Sequence, residues 1–192
     1  MFYGRLDELN GDELVYNSFN LSSEAEMHSM LRWRLGHFIL SLFCAATIGF
    51  ALYLQNTEFL SPCPLCIFQR VGFIVTGFLA LLAALFPLQR LNWFWPMLIT
   101  VSAGAGAAVS LRHVQIQYFL DPKQLASCGP GLDYLLQTQP WLQVFRDVLS
   151  GHGECAVIDW SLFGLSLPVL ALGGFTLLIT GTWLTRRWEL KK

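Results

Sequence analysis

The sequence predicts an all-α membrane protein: four transmembrane helices in a bundle, with a long outer loop carrying a short amphipathic helix. Three observations carry this. The chain is 54% hydrophobic and only 13% charged, with mean hydropathy +0.49, against the roughly 25% charged residues of soluble domains. Its apolar residues gather into four long runs, at 35–54, 67–86, 91–111 and 162–184. None of the runs shows the polar face that a surface helix of a soluble protein needs. Each approaches or exceeds the ~20 residues that cross a ~30 Å hydrocarbon core as a helix.

Residues 1–34 are mixed and rather acidic (Asp7, Glu8, Asp12, Glu13, Glu24, Glu26) and read as a cytoplasmic extension preceding a membrane redox unit at 35–192. The first run starts too far from Met1 for a signal peptide. It contains Cys44, read as a small apolar core residue. The second run carries one formal charge, Arg70, near its start, and the short 88–92 connection makes the second and third spans antiparallel neighbours. In the third span, Ala103-Gly104-Ala105-Gly106-Ala107-Ala108 offers small residues for close helix approach.

Lysine and arginine set the expected orientation. Arg32, Arg34, Arg90, Arg186, Arg187, Lys191 and Lys192 flank one set of span ends; Arg112, Lys123 and Arg146 are spread through a much longer loop on the other. The positive-inside rule then places both termini in the cytoplasm and the loops at 55–66 and 112–161 outside. In a Gram-negative cell that compartment is the periplasm, where disulfides persist. A net charge of −1 shows no basic excess that would suggest nucleic acid. Within the outer loop, Trp141, Leu142, Val144, Phe145, Val148 and Leu149 recur at helical spacing opposite Gln143, Arg146 and Asp147. That pattern suits a short helix lying on the lipid bilayer.

The chemistry lies in the cysteines. Cys63-Pro64-Leu65-Cys66 stands where the second span begins, and Cys128 and Cys155 fall in the long outer loop. Zinc needs close-spaced ligand knuckles; Cys63 and Cys66 qualify as one, but Cys128 and Cys155 are 27 positions apart. No metal site is therefore expected. Two static disulfides are a second reading, opposed by the small chain-entropy gain from so short a loop as Cys63–Cys66. Exchange chemistry is the third. A thiol at the start of a helix meets the positive end of its dipole. Arg70, four residues beyond Cys66, shares its helix face. An arginine at membrane depth is costly and usually functional. Thiol, cation and lipid access together suit a flat lipid-soluble electron acceptor such as a quinone.

These residues resemble the disulfide bond formation protein B (DsbB) family of bacterial inner-membrane thiol oxidoreductases. The resemblance runs from about Arg32 to the C-terminus. It rests on the four spans, Cys63-Pro64-Leu65-Cys66 followed by Ile67-Phe68-Gln69-Arg70, the loop cysteine pair, and Gly153-Glu154-Cys155-Ala156 followed by Trp160, Gly164 and Pro168. The longer N-terminal extension and Cys44 depart from the family pattern. The resemblance implies a protein-dithiol:quinone oxidoreductase: Cys128 and Cys155 form a disulfide that a periplasmic thioredoxin-fold partner, DsbA-like, reduces. Cys63 and Cys66 reoxidise that pair and pass the electrons to ubiquinone or menaquinone in the membrane pool. By the same resemblance Arg70 and His113 lie beside the quinone. A DsbI-type paralogue serving a dedicated partner, or a non-enzymatic membrane subunit with static disulfides, are the alternatives.

Overall fold

The computed structural model describes residues 11–57, 62–87, 93–119, 132–151, 155–156, 160–162 and 164–190, with side chains except at 11–23, 25, 132–133 and 188–190. Cys128, the 88–92 connection with Arg90, Lys123 and Glu154 lie outside the described residues. In chain order the elements are α1 (Gly11–Thr57), α2 (Pro64–Leu85), α3 (Phe94–Phe119), α4 (Leu132–Thr138), α5 (Trp141–Ser150), β1 (Ser161–Leu162), β2 (Leu165–Ser166) and α6 (Leu167–Leu190). Four of the helices contain a stretch long and apolar enough to cross a membrane: Glu26–Thr57, Pro64–Leu85, Phe94–Phe119 and Leu167–Arg187. The chain is an all-α membrane bundle, as its sequence predicts.

The four long helices form a ring in which α1 packs on α2 and α6, and α3 packs on the same two. Residues turned away from the ring stay apolar and exposed, among them Phe38, Leu42, Ile74, Phe78, Val101 and Leu177. Hydrocarbon covers such a surface at no cost, whereas water would not. Inside the ring the contacts come in three layers. Trp33, Ala80, Ala83, Trp95 and Ile99 fill one end. Cys44, Phe73, Ala103, Phe175 and Leu178 fill the middle. Cys63, Leu65, Ile116, Leu135, Val144, Val148 and Cys155 fill the other end.

The middle layer explains the small-residue stretch of α3. The Phe175 ring stacks on Phe73 with centroids 4.0 Å apart, and a Cβ built on Gly106 would run into that ring. Glycine there leaves the space the ring occupies. Cys44 sits in the same layer, 2% exposed, against Gly77. Hydrogen bonds tie neighbouring helices, Thr76 Oγ1 to Ser102 Oγ at 2.9 Å and Trp183 Nε1 donating to Thr100 Oγ1 at 3.1 Å. Each is worth about 0.6 kcal/mol in a bilayer.

The end of α2 away from the cysteines is closed by side chains. A helix leaves its last four carbonyls without intrahelical partners. Trp33 Nε1 donates to Ala83 O (3.0 Å), Arg34 to Ala84 O (3.1 Å) and Leu85 O (3.4 Å), and Trp95 Nε1 to Phe86 O (3.1 Å). Arg34 is therefore more than a marker of orientation; it and its neighbours cap α2.

α1 runs unbroken from Gly11 through residue 34 into the first span. Two boundaries differ from the sequence reading. α3 runs on past residue 111 to Phe119, because the polar residues after Leu111 alternate with Ile116, which is fully buried. α6 starts at Leu167 rather than at residue 162, because β1 and β2 pair antiparallel, Ser161 with Ser166 and Leu162 with Leu165. Gly164 takes φ +80° in its turn, a conformation that glycine adopts without a steric penalty.

Candidate redox site

The Cys-x-x-Cys pair is built by the start of α2. Cys63 is its N-cap, with extended backbone (φ −65°, ψ 158°), and Pro64 occupies the first turn, where a missing N–H costs nothing. The Cys66 amide donates to Cys63 Sγ at 3.3 Å, and the two sulfurs stand 2.9 Å apart. One helix end thus orients both sulfurs and aims its unpaired amides at them. Cys63 is buried at 8% exposure and Cys66 is half-buried.

The outer segments bring a third cysteine onto this pair. Cys155 is 1% exposed and belongs to the same buried cluster as Cys63. Hydrogen bonding with the Cys155 and Cys66 thiols, together with burial, pushes the Cys63 thiol well above its ordinary value. α5 roofs the cluster. Val144 and Val148 are its buried face, and the Phe145 ring meets Phe68 edge-on at 5.0 Å. Trp141 and Leu142 remain exposed on its other side. Arg112 donates to the carbonyls of Leu149 (2.9 Å) and Ser150 (3.4 Å), satisfying the last turn of α5.

His113, expected at the end of the third span, sits instead in the interior of α3 and is 2% exposed. Its Nε2 lies 3.2 Å from the Cys155 carbonyl and 3.9 Å from Cys63 Sγ, and its Nδ1 lies 3.3 Å from Gln69 Nε2. A carbonyl only accepts, so Nε2 carries the proton and donates; Nδ1 then accepts from the Gln69 amide. The ring therefore ties the peptide of Cys155 to α2 and α3, and it also borders the cavity described next.

That cavity, of about 200 Å³, opens beside the cysteines between α1, α2, α3 and α6. Its walls are mostly apolar (Phe50, Leu54, Phe73, Leu170, Ala171), and Cys63, Cys66, Gln69, Arg70 and His113 supply its polar edge. Trp160 closes one side and meets Phe50 edge-on at 5.8 Å. Arg70 lies four residues beyond Cys66 on α2, half-buried. Its Nη1 donates to Gln55 Oε1 at 2.6 Å and its Nη2 to the Ala51 carbonyl at 3.4 Å, which holds the guanidinium at the cavity rather than leaving it free to reach water.

The structure thus gathers Cys63, Cys66, Arg70 and His113 around one cavity, with Cys155 packed in the buried cluster of Cys63; Cys128 lies outside the described residues. Cys63, Cys66 and His113 also present donor atoms within 4.8 Å of one another, close enough to hold a metal ion. Two contributors, Gln55 and Gln69, were not singled out from sequence. The available signal for Gln69 was a polar residue on the buried face of an apolar span, three positions from Cys66.

Comparison with known proteins agrees with this arrangement. Residues 33–185 match the family described as disulfide bond formation protein DsbB. The chain is similar to the disulfide bond formation protein B of Acinetobacter baumannii, at 46% identity over 78% of this chain and 88% of the relative. It is similar to that of a Psychrobacter species at 44% over 80% and 91%, and to that of Chromobacterium violaceum at 42% over 80% and 93%. Four membrane helices, a clustered set of cysteines and a match across most of the chain lead to one conclusion: this protein belongs to the DsbB family of transmembrane disulfide-forming oxidoreductases.

Proposed function

We propose that this chain oxidises a periplasmic dithiol protein of the DsbA type and passes the electrons to a membrane quinone, ubiquinone or menaquinone. The observation that carries the reading is the position of the Cys63–Cys66 pair, with Cys155 against Cys63 on one side and an apolar cavity with a fixed arginine on the other. Both termini are cytoplasmic in this reading. Residues 1–34 are the extension, 35–192 the membrane unit, and the loops around 55–66 and 112–161 lie on the oxidising side.

The cavity fits a quinone ring. Aromatic and aliphatic walls suit its faces, Arg70 suits an oxygen that gains negative charge, and Cys66 is at the edge. A bound quinone takes up two electrons and two protons, which is what a dithiol releases on closing to a disulfide.

The chain's own residues divide the work. Cys128, by family resemblance, is the sulfur that the partner's thiolate attacks, leaving Cys155 as a thiol. Cys155 attacks Cys63 of the Cys63–Cys66 disulfide; a Cys155–Cys63 bond forms and Cys66 leaves as thiolate. A thiol of lower pKa leaves faster. Cys66 stands at the amide-rich start of α2, whereas Cys63 is held high, so cleavage in this direction is favoured. The partner's second thiolate attacks the partner sulfur bonded to Cys128, which releases the partner as a disulfide and Cys128 as a thiolate. Cys128 then attacks Cys155, restoring the loop disulfide and freeing Cys63 as a thiolate. The Cys63–Cys66 dithiol closes again as its electrons leave through Cys66. His113 holds the Cys155 peptide for this exchange, and Arg70 orients the acceptor and stabilises charge on it.

The test removes Cys66. In Cys66→Ser protein, Cys63 keeps Cys155 beside it in the buried cluster, so thiol trapping and peptide mapping should find a Cys63–Cys155 disulfide with Cys128 free. Recovery of an intact Cys128–Cys155 bond beside a free Cys63 thiol would contradict the proposed contact between the two pairs.

A further inference from the structure

The spacing of the cysteines argued against zinc because Cys128 and Cys155 form no knuckle, but the fold supplies a donor that sequence spacing did not contain. His113 of α3 brings its ring to the Cys63–Cys66 pair, and the three donor atoms lie within 4.8 Å of one another. Zinc binds sulfur at ~2.3 Å and imidazole nitrogen at ~2.0–2.1 Å, which in a tetrahedron puts the sulfurs about 3.8 Å apart and sulfur about 3.5 Å from nitrogen. The Cys63 and Cys66 sulfurs are 2.9 Å apart, and Cys63 Sγ is 3.9 Å from His113 Nε2. Side-chain rotations that open the sulfur pair and draw the ring nitrogen in join the two geometries.

Two further features suit a metal. The Cys66 amide already donates to Cys63 Sγ, a contact that a metal-bound sulfur can keep. A metal-bound histidine also needs an acceptor for its other ring N–H. Gln69, against Nδ1 at 3.3 Å, becomes that acceptor if its amide turns over, which exchanges its NH2 for its oxygen. The cost is the bond from Nε2 to the Cys155 carbonyl. The Cys155 thiol, hydrogen-bonded to Cys63, is a further soft donor beside the three.

The geometry points to a redox-gated metal site: in the reduced protein, Cys63, Cys66 and His113 bind one thiophilic d10 cation, with zinc as its probe. Binding releases two thiol protons and transfers no electrons. In the oxidised protein the Cys63–Cys66 disulfide removes both thiolates and the site with them. A bound cation also prevents the pair from closing, so zinc should hold the enzyme in its reduced state. This consequence for turnover rests on the relay reading, whereas the binding does not.

The test uses full-length protein in detergent, quinone-free and anaerobic, reduced with a phosphine that is then removed. Bound zinc is counted by mass spectrometry, affinity is measured against a chromophoric chelator, and X-ray absorption reports the ligands. The expected result is one zinc per reduced chain with sulfur and imidazole in its shell, and none per oxidised chain. Cys128→Ser should retain the zinc, which separates this site from a chelate made by the loop pair. Gln69→Leu should weaken binding by about tenfold or more, and His113→Ala should weaken it further. An all-sulfur shell in the unmutated protein overturns the proposal without recourse to any variant that fails to fold. So does equal binding by oxidised protein, or loss of zinc in Cys128→Ser. None of these outcomes touches thiol oxidation in metal-free buffer, so the relay stands or falls separately.

Discussion

In the proposed relay, Arg70 joins the thiol chemistry to the membrane. Its guanidinium is pinned by Gln55 and the Ala51 carbonyl at the edge of the cavity that Cys66 borders. Losing a charge-assisted contact in so dry a site costs roughly 2–3 kcal/mol, or about a hundredfold in rate or affinity. Arg70→Ala should therefore impair quinone reduction by that order, and Arg70→Lys should be intermediate because it keeps charge but loses the planar fork. Steady-state thiol oxidation against quinone concentration decides it. Unmutated turnover and quinone KM in folded Arg70→Ala protein would end the proposed role. Gln69 makes a different prediction. Gln69→Leu leaves His113 Nδ1 without its donor and loosens the hold on the Cys155 peptide. A small misplacement of reacting groups can cost up to about a hundredfold. Exchange between the loop pair and Cys63–Cys66 should slow by about tenfold or more, while a small dithiol that reduces Cys63–Cys66 directly still drives quinone reduction. Equal slowing of both rates would place Gln69 in the quinone step instead.

The elements around the site are held by side chains that cap helix ends. Arg112 closes the last turn of α5 from α3. A charged donor on helix-end carbonyls is worth about 1–2 kcal/mol, so Arg112→Ala should raise hydrogen exchange across Trp141–Ser150 by roughly tenfold, with little change in the four long helices. Uniform exchange in both proteins would deny Arg112 that function. At the bundle centre, Gly106→Val would drive a side chain into the Phe175 ring. Overpacking of this kind costs about 1–3 kcal/mol and should lower the thermal midpoint in detergent, whereas Gly104→Val meets open space and should not. Four spans, the position of α5 and the cysteine pair at the start of α2 were legible in sequence because apolar runs and helical periodicity report burial directly. The ends of α3 and α6 were not. Arg112, His113, Gln115 and Gln117 end an apolar run without ending a helix, and a hairpin as apolar as Leu162 and Leu165 reads as the start of one. Gln55 and Gln69 received no role for a related reason: an amide carries no charge, and its importance comes from the tertiary partner it meets.

At the scale of the whole molecule, the account requires the cysteine end of the bundle to face an oxidising compartment and the other end, with its arginine caps, to face the cytoplasm. Enzyme reporters fused at Arg90 and after Lys192 should read cytoplasmic and one at Lys123 outward. A cytoplasmic reading at Lys123 would place the disulfides in a reducing pool and overturn orientation and function together. The central claim is that electrons taken from a protein dithiol leave as quinol. The most direct measurement mixes purified protein, a reduced DsbA-type partner and a quinone without oxygen, and follows partner disulfide and quinol together. One quinol per disulfide formed is expected, with quinol formation abolished by Cys66→Ser. Disulfide formed without quinol, or quinol formation that survives Cys66→Ser, would contradict it.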